Sequence, residues 1–508
     1  MTSPQTPALT GPIFNQDSTD FFFNRPRAEM NGPGVDAFID RYAQAGAGTF
    51  LSCGNAMKAN FRSGVWESDW TGYDPAGPDD QPVLRDLSAA SVAPTRQRLD
   101  AAKHLADLGI NFHARAFARC RHHGIGAWMT VRMNDLHACM DADSSLLSTF
   151  FKEQRAAGKL RAQHRDRFWM DRALDWERPE VQEHYFKFVQ EQLTTLDLDG
   201  IELDWMRFPA HFRPGRELAG GRALTQWMQR VRALCAQAAQ RLGHPVRLGV
   251  RVPTRPETAR RAGLDGVAWA RAGLIDLLTV APFWATADFD VPVAEWRRLL
   301  EGTKVHLAVS VEVRYQPTPT GPARYLTAAL ASGLATTFLH GGADFVYLFN
   351  IFPTGQGVDR EWGQSVFDET LRSFRNLAEV AARERVHAVA YHDYGAPGEP
   401  SAGALPATDR KCDQPSPPGF AFRMQTGPKP EPGRRAELRV GWASPGPKAA
   451  DVRAYVNGQR VTWRQAEGDV WFYDVETGSL EDEAQVIELE APGEVTVVRL
   501  ELAISARN

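Results

Sequence analysis

Eleven consecutive residues, Asp199-Gly200-Ile201-Glu202-Leu203-Asp204-Trp205-Met206-Arg207-Phe208-Pro209, place two carboxylic acids two positions apart inside an apolar run. On a β-strand that spacing puts Gly200, Glu202 and Asp204 on one face and Ile201, Leu203 and Trp205 on the other. Acids on an inward strand face are costly to bury, so a pair of them calls for a chemical reason or a cationic partner. The same parity recurs elsewhere. Thr130, Arg132 and Asn134 alternate with Met129, Val131 and Met133; Arg247, Gly249 and Arg251 alternate with Leu248, Val250 and Val252; Ser310, Glu312 and Arg314 alternate with Val309, Val311 and Val313. Two carboxyl groups facing each other across a bond are the requirement of glycoside hydrolysis, with Asp204 and Glu312 as the pair and Glu202 as a deeper supporting acid. Around them, Arg132, Asn134, Trp205, Arg207, Arg251, Trp284 and Arg314 are the expected ligand contacts. Four arginines at strand ends exceed what two inward acids need; the excess suggests either a uronate or sulfate on the sugar or arginines turned outward to pair with loop acids such as Asp135 or Asp288.

The elements that would hold these residues follow from hydrophobic periodicity. Eight short apolar runs are expected as strands: Pro12–Asp17, Gly48–Cys53, Ala127–Asn134, Gly200–Trp205, Val246–Val252, Ile275–Ala281, Val305–Val313 and Asp344–Asn350. Amphipathic stretches follow each: Val35–Ala45, Thr95–Leu108, Pro179–Leu196, Gly221–Leu242, Glu257–Ala272, Val291–Glu301, Pro322–Ser332 and Glu361–Arg383. Eight β/α units predict an α/β fold of the (β/α)8 TIM-barrel type over residues 1–395, whose active face is the C-terminal end of the strands. A doubly wound sheet is disfavoured because no glycine-rich phosphate loop follows the first strand. The loops Gly54–Ala93 and Asp135–Arg178 are far longer than usual. The first carries Phe61, Trp66, Trp70 and Tyr73, the second Phe168, Trp169 and Trp176. Such rings serve either as sugar platforms or as small cores of the loops themselves. Residues 396–418 read as a Pro/Gly-rich linker, and residues 419–508 as a small all-β sandwich with an Asn457-Gly458 hairpin turn.

On its residues, the run from Arg165-Asp166 through Ala173-Leu174-Asp175-Trp176 and Pro179-Glu180-Val181 to Asp199–Pro209 resembles the glycosyl-hydrolase-like family 10 proteins. Their strand-four motif has the form DGI-x-x-D-x-x-R-x-P. The resemblance implies a TIM barrel that acts on carbohydrate. Asp199 to Met206 is also similar to the chitinase pattern DGxDxDxE, but Met206 stands where that family has its catalytic glutamate, and a thioether donates no proton. This departure supports the alternative of a glycan-binding protein without turnover. A metal-dependent hydrolase is disfavoured: the first strand offers Asn15-Gln16-Asp17 and no His-x-His, and His122-His123 fall at the opposite end of the third strand.

The bulk composition excludes other classes. A net charge of -4 gives no general attraction to nucleic acid. No apolar run has membrane-spanning length, and residues 1–20 lack the pattern of a signal peptide, so a cytoplasmic location is expected. The five cysteines, Cys53, Cys120, Cys139, Cys235 and Cys412, have no CxxC spacing and read as reduced thiols. No cofactor and no metal are expected; the expected partner is a carbohydrate.

Overall fold

A computed structural model describes residues 9–17, 19–162, 168–400, 403–408, 420–444, 446–448, 451–491 and 495–506. Arg165-Asp166, Cys412 and most of the Gly395–Gly419 stretch lie outside them. Eight parallel strands form a closed barrel: β1 (Ile13–Asp17), β2 (Thr49–Cys53), β3 (Gly126–Arg132), β4 (Gly200–Asp204), β5 (Arg247–Pro253), β6 (Leu277–Ala281), β7 (His306–Val311) and β8 (Phe345–Phe349). Each expected strand is present, with ends shifted by a few residues. The strands are buried along nearly their whole length because helices cover the outside and side chains fill the inside.

The helices show where periodicity misjudges ends. The stretch expected at Glu257–Ala272 breaks in two, Pro256–Arg261 and Gly266–Arg271. Gly263 (φ +80) ends the first turn set, and the Asp265 carboxylate restarts the next by accepting the Ala268 amide. The helix expected at Pro322–Ser332 runs instead over Ala328–His340, because the Thr327 hydroxyl caps the Leu330 amide. A helix at Phe112–His122, capped by Asn111, was not anticipated.

The chain forms two compact units, Met1–Val280 with Leu300–Leu307, and Ala281–Leu299 with Ala308–Asn508. The second contains two antiparallel sheets. One has the order β9 (Arg385–Ala388), β16 (Thr496–Ala506), β11 (Arg434–Trp442), β14 (Val470–Val475), β13 (Thr462–Glu467). The other runs β10 (Phe420–Gly427), β15 (Glu483–Glu490), β12 (Arg453–Val456), then Gln459–Arg460 across the Asn457-Gly458 hairpin. Phe420, Phe422, Met424, Leu438, Val440, Leu500 and Leu502 share their core, which gives the sandwich expected from alternating apolar residues. Strand β9 precedes the Pro/Gly-rich stretch, so this sheet recruits its edge strand from ahead of the anticipated linker. Helix Ala328–His340 packs on β9, and Gly333 is needed there: a Cβ would come within 2.1 Å of the Val386 carbonyl oxygen. Among the described residues, no helix is long and apolar enough to cross a membrane.

Candidate functional site

Register between β3, β4 and β5 stacks the inward residues of the first unit in three layers. At the bottom, Trp128 occupies the space that side chains at Gly200 and Gly249 would take; a Cβ on Gly200 would lie 2.4 Å from the indole. In the middle, Glu202 is fully buried and accepts hydrogen bonds from the Thr130 hydroxyl (2.9 Å) and, from β6, the Thr279 hydroxyl (3.3 Å). These donors offset part of its desolvation. At the top, Asp204 is 1% exposed. Its Oδ1 accepts the Met206 and Arg207 amides, both at 3.0 Å, and its Oδ2 pairs with Arg251 at 2.8 Å. Asp204 therefore shapes the turn after β4 and neutralises a buried guanidinium.

Beside this stack a cleft of about 230 Å³ opens over the ends of β1 to β4. Asp17, Asn55, Asn60, Arg132, His137 and Arg207 line it. Arg132 lies 3.0 Å from Asp17 and 3.7 Å from Asp135. Burial alone would weaken its hold on a proton, but Cys53, Asp17, Asp135 and Asp204 around it raise its pKa above the ordinary arginine value. Asn55 fixes the backbone here: its Oδ1 accepts the Arg132 amide and its Nδ2 donates to the Arg132 carbonyl, each at 3.0 Å.

The turn after β3 adds a carboxylate and an imidazole. The Asp135 side chain is fully buried, and its oxygens lie 2.8 and 3.0 Å from His137 Nδ1. Burial pushes the Asp135 carboxyl up. His137 first, then Arg132 and Arg207, outweigh it and hold the group well below the usual carboxylate range. On the other side of the ring, Arg207 Nη2 stands 3.3 Å from His137 Nε2. Phe208 packs edge-on to the imidazole, Trp169 edge-on to Phe208, and exposed Phe168 against Trp169, with centroids 5.0 to 5.3 Å apart. Phe208 (φ +67) and Ala138 (φ +59) both adopt left-handed backbone beside this cluster, strain of the kind that the surrounding packing must stabilise.

Several expected contacts land elsewhere. Trp205 is fully buried in a cage of Trp176, His211 and Trp227, so its ring is a packing element with no face for a ligand. Asn134 spends its amide inside the protein, donating to the Leu174 and Ala210 carbonyls and accepting the Leu174 amide. Arg251 is consumed by Asp204, and Arg132 by Asp17, which removes most of the apparent surplus of positive charge. In the second unit, Glu312 is buried just past β7. Arg314 belongs to a two-stranded ribbon with Arg324–Tyr325 and lies 5.7 Å from the Trp284 ring. Trp284 is 41% exposed, and Asp393 clamps its turn by accepting the Phe283, Trp284 and Ala285 amides. Asp135 is the loop acid expected as an arginine partner, and Arg132 lies 3.7 Å from it; Asp17 and His137 have no such expectation in the sequence. Asp17 closes β1 as Asp204 closes β4, and that equivalence was the available signal. Among the described residues, no group of three His, Cys, Asp or Glu side chains could hold a metal ion. Cys53, Cys120, Cys139 and Cys235 are buried free thiols.

No protein-family model matches the chain, the glycosyl-hydrolase-like family 10 included, and no curated protein matches it by sequence. Among the solved structures it is similar to are two α-fucosidases and a chitinase. An α-L-fucosidase isoenzyme 2 from Paenibacillus thiaminolyticus has 13% identity and TM-score 0.43 over 74% of this chain and 50% of that one. The Thermotoga maritima α-fucosidase in complex with fucose has 12% identity and TM-score 0.34, covering 90% and 78%. A cell-surface chitinase from a Paenibacillus species has 10% identity and TM-score 0.43, covering 96% and 53%. The chain thus spans about half the length of the first and third.

Proposed function

We propose that the protein is a glycoside hydrolase whose sugar substrate enters at the C-terminal ends of the barrel strands. The observation that carries this reading is the cleft in the first unit. Carboxylates, amides, guanidinium groups and an imidazole converge there on a space large enough for a sugar ring, and the Phe208, Trp169 and Phe168 rings pack in succession outward from His137. Polar groups of this mixture suit the hydroxyls of a carbohydrate, and aromatic rings suit its apolar faces. Asp204 is assigned the role of the anionic carboxylate that stabilises positive charge at the anomeric carbon. Its oxygens accept the Met206 and Arg207 amides and the Arg251 guanidinium. Glu312 is assigned the acid role by its strand-end position alone. Arg207 is assigned to an anionic substituent on the sugar, because it lines the cleft whereas Arg251 is committed to Asp204.

Asp204→Asn should lower kcat by about two orders of magnitude or more and also cost stability, because it leaves Arg251 buried without its carboxylate, whereas Glu312→Gln should lower kcat similarly while the protein still folds. Hydrolysis of neutral and uronate-containing oligosaccharides, followed by product chromatography, is the measurement; near-wild-type rates in either variant reject that residue's role. A second reading, glycan binding without turnover, is favoured by Met206 at the position of the chitinase glutamate. It predicts calorimetric binding of the same oligosaccharides with no product formed by the unaltered protein.

A further inference from the structure

Three side chains in the first unit form a relay that the strand-end carboxylates leave unexplained. Asp135 is wholly buried, His137 is 43% exposed at the cleft, and Arg207 stands on its far side. The two hydrogen bonds fix the tautomer. The carboxylate can only accept, so Nδ1 carries the proton and donates it to Asp135. Arg207 can only donate, so Nε2 presents its lone pair. A half-exposed imidazole with its basic nitrogen at the cleft and a buried carboxylate behind it is arranged to gain a proton and to stabilise the cation that results.

We infer that His137 is a general base of this site, oriented by Asp135, and that it takes a proton from the water that attacks the anomeric carbon. This rests on the glycosidase reading above. As the water oxygen bonds to the anomeric carbon, one water proton passes to Nε2 and the glycosidic C–O bond breaks. The oxygen that leaves takes a proton from solvent. The imidazolium then releases its proton to solvent, so one water is consumed for each bond broken and the protons balance. Nothing is oxidised or reduced. Arg207 must turn from Nε2 when water approaches, and a ligand anion that draws the guanidinium away would uncover the base. Asp135 thus acts through His137 as a positioning residue. The other charges around the ring are Arg132, paired with Asp135, and, in the cleft, Asp17, Asp69 and Arg98. The Asp69–Arg98 pair at 2.5 Å cancels locally, Arg132 is shared between Asp17 and Asp135, and Asp135 and Arg207 are the groups in hydrogen-bond reach of the ring.

The test is the pH dependence of kcat/KM for the full chain, on whichever oligosaccharide the unaltered protein hydrolyses. The unaltered protein should lose activity on the acid side as the imidazole is protonated. In His137→Ala that acid limb should vanish along with about two orders of magnitude of kcat, and added imidazole should restore part of the rate. In Asp135→Asn the limb should move to lower pH, because the neutral amide no longer stabilises the imidazolium. An unaltered acid limb in His137→Ala, or a lost rate that imidazole does not restore, overturns the inference while the glycosidase reading stands. If the unaltered protein hydrolyses none of the oligosaccharides, the glycosidase reading fails and this inference falls with it.

Discussion

The two long loops that follow β2 and β3 carry similar numbers of aromatic rings and use them in opposite ways. In residues 54–93, Phe61, Trp66, Trp70 and Tyr73 are all less than 10% exposed. Trp66 stacks on Phe188 at 4.1 Å and on His184 at 4.5 Å, and its indole donates to the His184 carbonyl. That loop is a wall with its own core. In residues 135–178, Trp176 is buried, but Phe168 is 49% exposed and Trp169 half-buried, packed on Phe208. Ring count does not separate a wall from a rim. What separates them here is anchorage: the first loop docks on the helix Pro179–Thr195, whereas the Phe168–Trp169 pair rests on the strained turn at Phe208.

Three experiments would sharpen or break that contrast. The largest effect is expected for Trp66→Ala, which should destabilise the protein by about 3 kcal/mol or more through lost stacking and an unfilled cavity. Urea denaturation would measure it, and a loss under 1 kcal/mol would mean that the first loop is not anchored by its rings. Acid should come next. His113 is fully buried between the Ser52 hydroxyl and the Asn60 side chain, and burial lowers its pKa to about 3. Below about pH 6.5 the unfolded chain binds a proton that folded His113 refuses, so the stability it contributes is complete above that pH and is lost as the pH falls toward 3. The loss is about 1.4 kcal/mol per pH unit within this window. Asn60 belongs to the first loop, so proteolysis at pH 4 should cut residues 54–93 before the sandwich, and equal resistance of both would contradict the assignment. Smallest is Trp169→Ala. It should leave stability within about 1 kcal/mol and raise KM several-fold by removing a stacking surface. A large fall in melting temperature with unchanged KM would make the second loop a wall like the first.

Strand parity carried much of this architecture. The alternation in Gly200–Asp204, Gly126–Arg132 and Arg247–Pro253 was enough to place Glu202, Asp204, Arg132 and Arg251 in the barrel interior, because a period of two admits only two faces. It could not say which acids would meet which arginines. Asp204 with Arg251 and Arg132 with Asp17 are decided by the stagger between neighbouring strands, which no single strand encodes. Trp205 shows the limit at a strand end, where the parity already pointed outward and proximity to the motif was the misleading cue. His137 was hidden for a different reason: it lies in a turn, and turns have no period. The helix Phe112–His122 buries Phe112, Ala116, Phe117 and Cys120, but arginines and histidines fill most of its other positions, and one buried position is itself a histidine, His113, which blurs the apolar stripe in the sequence. In the sandwich, β10 begins directly after the Pro/Gly-rich stretch, and β13 is largely exposed and so lacks a clear apolar alternation.

The Trp128 indole at the bottom of the first unit fills the room left by two missing side chains, on Gly200 and Gly249. None of the three can change by itself without loss. An alanine at position 200 would collide with the ring, and a smaller residue at 128 would leave a void between the two glycines. Their histories should therefore be entangled. Among descendants of a common ancestor, these positions should be replaced in concert or not at all, and a chain that has exchanged the indole for a slimmer side chain should be the one in which position 200 has regained a methyl group.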